Sequence, residues 1–328
     1  DKVQVMAVSS LLGTIVRLAS NLLFLLVLKW GMFGYLLSLV IGPSLATAYA
    51  MIHILPLKNE KVSHGYEKNL HAEMRKYAIP TMFGQLGWWI NNSLDKYFVI
   101  WLKGAAVNGL YSISYKLPSI TTFGQPRRIS AIRDLAKEDT DRFLSNTYEL
   151  FNFVLVFCCS GLILSNMLIS KVLFAKEFFS AWKYAPVLIL AMLFSGLSSF
   201  WGGIFNAVKK NEVIAWTTVS AGVINAIFNA ALIPAFGAMG AAIATLLSFY
   251  SMWGLRYLAS KKYISCHNNI LKHHLMYLLI VVQIIFGYQK NHFYVGQILI
   301  IVLMVLLNRT VAKKVFKGAL QKLNGYAR

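Results

Sequence analysis

The chain has 328 residues, of which 57 % are hydrophobic and 13 % are charged. Its mean hydropathy is +0.58, and soluble domains carry roughly 25 % charged residues, so this composition excludes an ordinary soluble protein. It also excludes a disordered chain, and three cysteines are too few for a disulfide framework.

Ten apolar segments follow one another along the chain, each near the ~20 residues that a helix needs to cross a lipid bilayer. In chain order, the predicted helices cover about residues 5–28, 32–54, 77–101, 107–126, 147–169, 184–208, 213–234, 237–259, 270–289 and 293–310. The connections are short, except for two charged ones at 55–76 and 127–146. The pattern predicts an all-α, polytopic membrane protein.

The net charge of +20 raises the question of a nucleic-acid partner, which the positions of the basic residues answer. With the N-terminus in the cytoplasm and the helices alternating, 23 Lys and Arg residues fall on the inner side and six on the outer side. This asymmetry follows the positive-inside rule and predicts a cytoplasmic C-terminus. Trp30, Trp101 and Trp182 lie at predicted outer helix ends, where indoles are common. Topology explains the basic excess, so we expect no nucleic-acid partner.

The second and eighth helices begin with the same pattern of glycines, Gly31 and Gly34 in one and Gly237 and Gly240 in the other. Small residues continue at every fourth position, and the two series coincide at an offset of 206 residues. Such stripes occur in many packed membrane helices, but the shared register favours an internal repeat. Because helices seven and eight follow four others and helices one and two follow none, we expect about four more helices upstream.

Charged residues inside the predicted spans need a reason, because each costs at least ~2.5 kcal/mol at the bilayer centre. Arg17 and Lys116 lie near the middle of helices one and four. Asp95 and Lys96 lie nearer the outer end of helix three. In one interpretation, Asp95 and Lys116 differ by roughly 4.5 Å in depth and form an ion pair. In the other, Arg17, Lys96 and Lys116 line a water-filled cavity that binds an anionic ligand.

Amides and hydroxyls make the third and fourth helices unusually polar. These residues are Gln85, Asn91, Asn92, Ser93, Tyr111, Ser112, Tyr115 and Gln125. Such groups bind sugar hydroxyls, and they equally join helices to one another. The sequence contains no paired carboxylates on a loop, no spacing of metal ligands and no phosphate-binding loop. We therefore expect no catalytic residue, no metal and no cofactor.

Two stretches of these polar helices resemble bacterial polysaccharide flippases of the O-antigen (Wzx-like) type. The stretch from Gly87 to Tyr97, with its Trp-Trp, Asn-Asn and Asp-Lys-Tyr series, resembles the seventh helix of that family. The stretch from Gly109 to Ser119, with its Tyr-Lys-Leu-Pro core, is similar to the following helix. Similar motifs continue in the family's order to about residue 260. The chain departs from the family at Gln125–Arg128, where an apolar run is expected.

The resemblance implies an architecture. The superfamily, which includes multidrug exporters and the flippase for the lipid-linked peptidoglycan precursor, has two six-helix lobes around a central cavity. Mapped onto this chain, residues 1–54 are the last two helices of the N-terminal lobe, and 55–76 form a cytoplasmic basic loop. Residues 77–259 are the six-helix C-terminal lobe, and 260–328 are two extra helices and a basic tail.

The resemblance also implies a function, the flipping of an oligosaccharide on undecaprenyl pyrophosphate across the bacterial inner membrane by alternating access. The expected role is in the biosynthesis of surface polysaccharide, including O-antigen and lipopolysaccharide. Expected partners are the lipid-linked oligosaccharide, membrane lipids and the polysaccharide polymerase machinery. The expected substrate-binding residues are Arg17, Asn91, Asn92, Asp95, Lys96, Tyr115 and Lys116.

Three alternatives remain open at this point. A drug or cation exporter of the same fold predicts acids in the cavity, where this chain has cations. A membrane enzyme of glycan assembly, a polymerase or transferase, needs catalytic acids or Arg on a sizeable outer loop. The largest outer loop, at about 170–183, carries Glu177 as its acid. The third alternative is a scaffold that does not transport.

Overall fold

The computed structural model describes residues 2–54, 64–119, 137–264, 269–289 and 294–313. These ranges hold ten α-helices of ten or more residues and no strand, in the order that hydropathy predicts. The helices are α1 (Lys2–Leu22), α2 (Gly31–Ile54), α3 (His64–Lys103), α4 (Ala105–Ser114), α5 (Lys137–Leu173), α6 (Ala185–Ala207), α7 (Asn211–Phe236), α8 (Ala238–Ser260), α9 (Ile270–Tyr288) and α10 (Tyr294–Leu307). The all-α fold class is confirmed.

Seven of the helices in the described ranges are long and apolar enough to cross a membrane. They are α1 with the π-helical turn Leu23–Val27 that extends it, α2, and α5 to α9. Helix α10 is apolar but has 14 residues. Helices α3 and α4 differ in kind, because α3 is long and polar and α4 has only 10 residues. The chain is a multi-pass membrane protein, and seven helices of the described ranges qualify as spans by length and composition, where hydropathy predicts about ten.

The two polar helices also differ from their predicted boundaries. Helix α3 begins at His64, so much of the predicted basic loop at 55–76 is helical. Helix α4 ends at Ser114 instead of near 126, and the amide of Lys116 donates to the carbonyl of Ile113 over 3.0 Å in the turn that follows. Pro118 accounts for this end, because proline disfavours helical conformation in the residue before it. The departure from the family at 125–128 lies outside the described residues.

Contacts divide the chain into two compact units, Asp1–Ala72 and Glu73–Arg328. In the first unit, α1 and α2 cross closely at small residues. A Cβ atom at Gly42 would lie 2.8 Å from the carbonyl oxygen of Gly13 and 2.7 Å from Cβ of Arg17. The predicted stripe of small residues in α2 therefore faces α1.

The second unit is built around α6, which packs against α5, α7 and α8 and is buried along most of its length. Leu188, Leu193, Leu197 and Trp201 of α6 are fully buried. Helices α9 and α10 pack against α5. This arrangement gives the unit an apolar core, against which the more polar helix α3 is distinct in composition.

Polar side chains join α9 to α5. The Ser160 hydroxyl donates to Oε1 of Gln283 over 2.6 Å, and Nε2 of Gln283 donates back to the Ser160 carbonyl over 2.9 Å. Nε2 of His273 lies 3.0 Å from a carboxylate oxygen of Glu149. His273 is buried within α9. In lipid, such side-chain contacts are a principal means of joining helices.

A glycine in the left-handed region stands at the start of α2 and directly before α8. Gly31 has φ of 56° and Gly237 has φ of 58°, in the region that favours glycine. Three residues later, a Cβ atom at Gly34 would lie 2.8 Å from Cβ of Phe24, and one at Gly240 would lie 2.4 Å from a carbonyl oxygen of the preceding helix. The glycine pattern that the two helices share in sequence therefore corresponds to shared local features in the structure.

Candidate functional site

The carboxylate of Asp95 is buried in the second unit and lies within hydrogen-bond distance of four donors. Its Oδ2 atom accepts from the hydroxyls of Tyr115 at 2.5 Å and Tyr111 at 2.6 Å. The hydroxyl of Thr245 lies 3.4 Å from the same oxygen and 3.0 Å from the carbonyl oxygen of Ala241 in its own helix. Its Oδ1 atom accepts from the backbone amide of Lys96 at 2.9 Å. Hydrogen bonds to a charged acceptor are stronger than neutral ones, so this carboxylate holds α3, α4 and α8 together.

Helix α4 supplies two of these donors because its tyrosines are four residues apart and lie on one face. The rings of Tyr111 and Tyr115 pack edge to face with centroids 5.3 Å apart, and their hydroxyl oxygens are 3.2 Å apart. Tyr111 is fully buried, whereas Tyr115 is partly exposed. The last turn of α4 is thereby fixed to α3.

A second polar layer lies one turn earlier in α3. Oδ1 of Asn91 accepts from the hydroxyl of Ser248 at 2.8 Å, and the same hydroxyl lies 2.8 Å from the carbonyl oxygen of Ala221 in α7. On its adjoining side α3 meets α7, where a Cβ atom at Gly87 would contact the side chain of Thr218 at 3.3 Å. The buried side of α3 therefore packs on both α7 and α8.

The predicted ion pair between Asp95 and Lys116 does not form among the described residues. Asp95 is occupied by the tyrosines, and the side chain of Lys116 is exposed on the turn that follows α4. Nζ of Lys96 instead lies 5.2 Å from the ring centroid of Tyr115, in a cation–π contact. The matching depths of residues 95 and 116 did not specify which way their side chains point.

The seven residues predicted to bind substrate fall into three classes of exposure. Asn91 and Asp95 are buried; Asn92, Lys96 and Tyr115 are partly exposed; and Arg17 and Lys116 are exposed. The structure brings Asp95, Lys96 and Tyr115 into contact, with Asn91 one turn away. Nδ2 of Asn92 donates to the carbonyl of Trp88 in its own helix over 2.8 Å. Arg17 belongs to the other unit.

The sequence interpretation missed the part of α8 in this site. Thr245 and Ser248 contact Asp95 and Asn91 through their hydroxyls. Ser248 belongs to the stripe of small residues that the sequence shows in α8. A hydroxyl residue in such a stripe is the signal that could have predicted a hydrogen bond to a polar side chain of a neighbouring helix.

Arg256 is a second buried charged residue of this unit. Its guanidinium donates to the hydroxyls of Thr217 at 3.1 Å and Thr218 at 2.8 Å and to the carbonyl of Ser198 at 3.0 Å, which joins α8 to α7 and α6. This arginine is only 6 % exposed within α8. In the part of the chain that the structure describes, no carboxylate pairs with it.

The chemistry of the site is that of a fixed polar cluster beside accessible cations. The described residues contain no group of three or more His, Cys, Asp or Glu side chains that could hold a metal ion. The Asp95 carboxylate is shielded and already bonded, whereas Lys96 and Lys116 present ammonium groups. These lysines offer charge to an anionic ligand.

No family model matches the chain, and no curated protein matches it. Among solved structures, the fold is similar to that of the lipid II flippase MurJ in an inward closed conformation, with a TM-score of 0.66 and 16 % sequence identity. The match covers 95 % of this chain and 68 % of that one. The chain therefore has a flippase-type, all-α membrane fold, as the sequence resemblance implied.

Proposed function

We propose that the protein flips an oligosaccharide linked to undecaprenyl pyrophosphate across the bacterial inner membrane, by alternating access, for the assembly of surface polysaccharide. The product would serve O-antigen and lipopolysaccharide biosynthesis. The observation that carries the proposal is the likeness to a lipid flippase over 95 % of the chain. Cations along helices of a membrane protein give it a second support, because charged residues in such segments mark substrate pathways.

Three cations are assigned to the pyrophosphate, namely Arg17, Lys96 and Lys116. The ring of Tyr115 holds the ammonium group of Lys96 without neutralising its charge. Neither Lys96 nor Lys116 has a carboxylate within salt-bridge distance among the described residues. Arg17 is assigned from its place in the middle of α1 and its exposure.

Of the four other residues, two are assigned to contacts with the substrate and two to holding the helices in place. Asn92 and Tyr115 are partly exposed and are assigned to the sugars, whose hydroxyls suit amides and phenols. Asn91 and Asp95 are buried, and they act on the substrate by fixing α3 against α8 and α4. Asp95 thereby positions Tyr115 and, through its ring, Lys96.

The proposal includes an orientation with the C-terminus in the cytoplasm. The charge asymmetry of 23 inner and six outer basic residues supports it. A fluorescent protein fused to the C-terminus should fold and fluoresce, whereas alkaline phosphatase at the same position should be inactive. The polysaccharide polymerase machinery would receive the flipped substrate on the opposite side.

The test is transport by the whole protein in liposomes that contain undecaprenyl-pyrophosphoryl oligosaccharide. We expect the lipid to reach the opposite leaflet faster than in protein-free liposomes. Arg17→Ala and Lys116→Ala should each slow flipping and lower surface glycan in cells, and Lys171→Ala, an exposed lysine at the end of α5, should not.

Two results would contradict different parts of the proposal. If Arg17→Ala and Lys116→Ala both leave surface glycan at the wild-type level, the site assignment is wrong. If the purified protein elongates or transfers glycan without flipping it, the function is that of an enzyme of glycan assembly.

A further inference from the structure

One face of α3 carries a row of polar side chains between two exposed indoles. Gln85, Asn92 and Lys96 lie within roughly 40° of one another around the helix, at about 100° per residue. Trp88 and Trp89 flank this row on either side and are 51 % and 55 % exposed. We name these five residues the α3 polar face.

The α3 polar face lies away from the side on which the helix packs most closely. Gly84 and Gly87 lie on another side of α3, where they approach α7, and Asn91 and Asp95 hold α8 and α4. In the described part of the chain, Gln85 is exposed and Asn92 bonds only within its own helix. Lys96 contacts the ring of Tyr115, and its ammonium group keeps its charge for a ligand.

Acyl chains are an unfavourable environment for this row. Amide and ammonium groups that face hydrocarbon without partners cost several kcal/mol. A third side of α3 carries the exposed apolar residues Phe83, Leu86 and Ile90, which suit lipid. Accordingly, α3 is absent from the seven helices that are apolar enough to span a membrane by composition. The α3 polar face requires water or a polar ligand.

The two ends of the row differ in charge. Lys96 lies at one end, and Gln85 lies eleven residues away, or about 16 Å along the helix axis. The ammonium group of Lys96 is the charged end, held over the ring of Tyr115. Asn92, between them, uses Nδ2 for the carbonyl of Trp88 and keeps Oδ1 as an acceptor. A ligand with an anionic group at one end and hydroxyls along its length matches this order.

We infer that the α3 polar face binds the glycan of a lipid-linked oligosaccharide, with its sugar rings between Trp88 and Trp89 and its pyrophosphate at Lys96. The inference rests on the proposed function and adds which end of the ligand lies where. Indole rings offer broad apolar faces with a polar edge, against which the C–H faces of sugars pack. The amides of Gln85 and Asn92 then bind hydroxyls.

The experiment measures the affinity of the whole protein in nanodiscs for two lipids. One is undecaprenyl-pyrophosphoryl oligosaccharide isolated from the protein's own cells, and the other is undecaprenyl pyrophosphate without sugar. The double variant Trp88→Ala/Trp89→Ala should lose about tenfold or more in affinity for the glycan lipid, as expected for buried aromatic contacts. Its affinity for the sugar-free lipid should not change. Lys96→Gln should weaken the binding of both lipids.

A matched control removes two exposed indoles elsewhere in the unit. Trp101, on the opposite side of α3, is 80 % exposed, and Trp216 of α7 is 45 % exposed. Trp101→Ala/Trp216→Ala should keep wild-type affinity for both lipids. The variant Trp88→Leu/Trp89→Leu, which keeps apolar bulk but no aromatic face, should repeat the loss if the alanine variant proves poorly folded.

Each contrary result has a distinct meaning. Equal losses for the two lipids at Trp88 and Trp89, no loss at all, or the same loss in the control variant would overturn the inference and leave the proposed function intact. Equal affinity of the wild-type protein for the two lipids would do the same. A wild-type protein that binds neither lipid would overturn the proposed function and the inference with it.

Discussion

The hydroxyl of Tyr115 donates to the carboxylate of Asp95 over 2.5 Å, which joins the end of α4 to the C-terminal part of α3. The same carboxylate oxygen accepts from Tyr111, one turn earlier in α4. The ring of Tyr115 also contacts the ammonium group of Lys96. Tyr115 therefore links the buried carboxylate of Asp95 to the ammonium group of Lys96. Loss of the carboxylate should therefore change the position of that ammonium group.

We expect Asp95→Ala to lower the free energy of unfolding by about 3 kcal/mol, because buried donors that lose a charged acceptor cost about 1–3 kcal/mol. The measurement is thermal unfolding of the whole protein in detergent. Glu212→Ala, which removes an exposed acid in the first turn of α7, is the control and should cost less than about 1 kcal/mol. Equal midpoints for the two variants would show that the hydrogen bonds to Asp95 do not stabilise the protein.

Hydropathy located all ten helices because each buries an apolar surface in lipid or in the core. It did not find the end of α4, where a local rule decides, namely the proline at position 118. Nor did it find the partners of Asp95. Rise per residue gives depth in the membrane, whereas the direction of a side chain around its helix depends on packing. The similar depths of the two residues therefore predicted Lys116 as the partner of Asp95, but the packing of the helices places Tyr111 and Tyr115 beside Asp95 instead.

At Arg256 we expect a substitution that keeps the positive charge to destabilise the protein more than one that removes it. The Thr217 and Thr218 hydroxyls already lie 2.6 and 2.7 Å from carbonyls of their own helix. Arg256→Met should therefore cost less than about 1 kcal/mol, since it also removes the cost of burying a charge. Arg256→Lys keeps that charge but cannot reproduce the fork of donors, and should cost about 1–3 kcal/mol. Unfolding midpoints that rank the methionine variant below the lysine variant would contradict this reasoning.

Two glycines of α8 should respond oppositely to the same substitution. A Cβ atom at Gly240 would lie 2.4 Å from the carbonyl oxygen of Leu232, a backbone atom that cannot move aside. Gly240→Ala should therefore destabilise the protein by about 2 kcal/mol or more. No atom outside the helix backbone lies within 4 Å of a Cβ at Gly254, so Gly254→Ala should stabilise it by roughly 0.5–1 kcal/mol. Thermal unfolding of the pair checks both signs, and a stable Gly240→Ala variant would refute the close crossing of α7 and α8.

The stripe of small residues in α8 shows what a sequence pattern can predict about helix packing and what it cannot. It predicted close packing, and the contact between Gly240 and the preceding helix is of that kind. It did not predict that Ser248 would contact Asn91 or that Thr245 would reach Asp95. Small size is visible in a sequence, whereas the partner of a hydroxyl depends on which helix lies opposite.

The last prediction concerns the join between α5 and α9. Ser160→Ala removes one of its two hydrogen bonds, and Gln283→Leu removes both. Side-chain hydrogen bonds between membrane helices contribute about 0.6 kcal/mol each on average, so the glutamine variant should lose about 1 kcal/mol and the serine variant about half of that. Because the two changes share a contact, the double variant should lose less than their sum. Ser165→Ala, whose hydroxyl bonds within α5, is the matched control. Strictly additive losses would mean that the two side chains do not act as one contact.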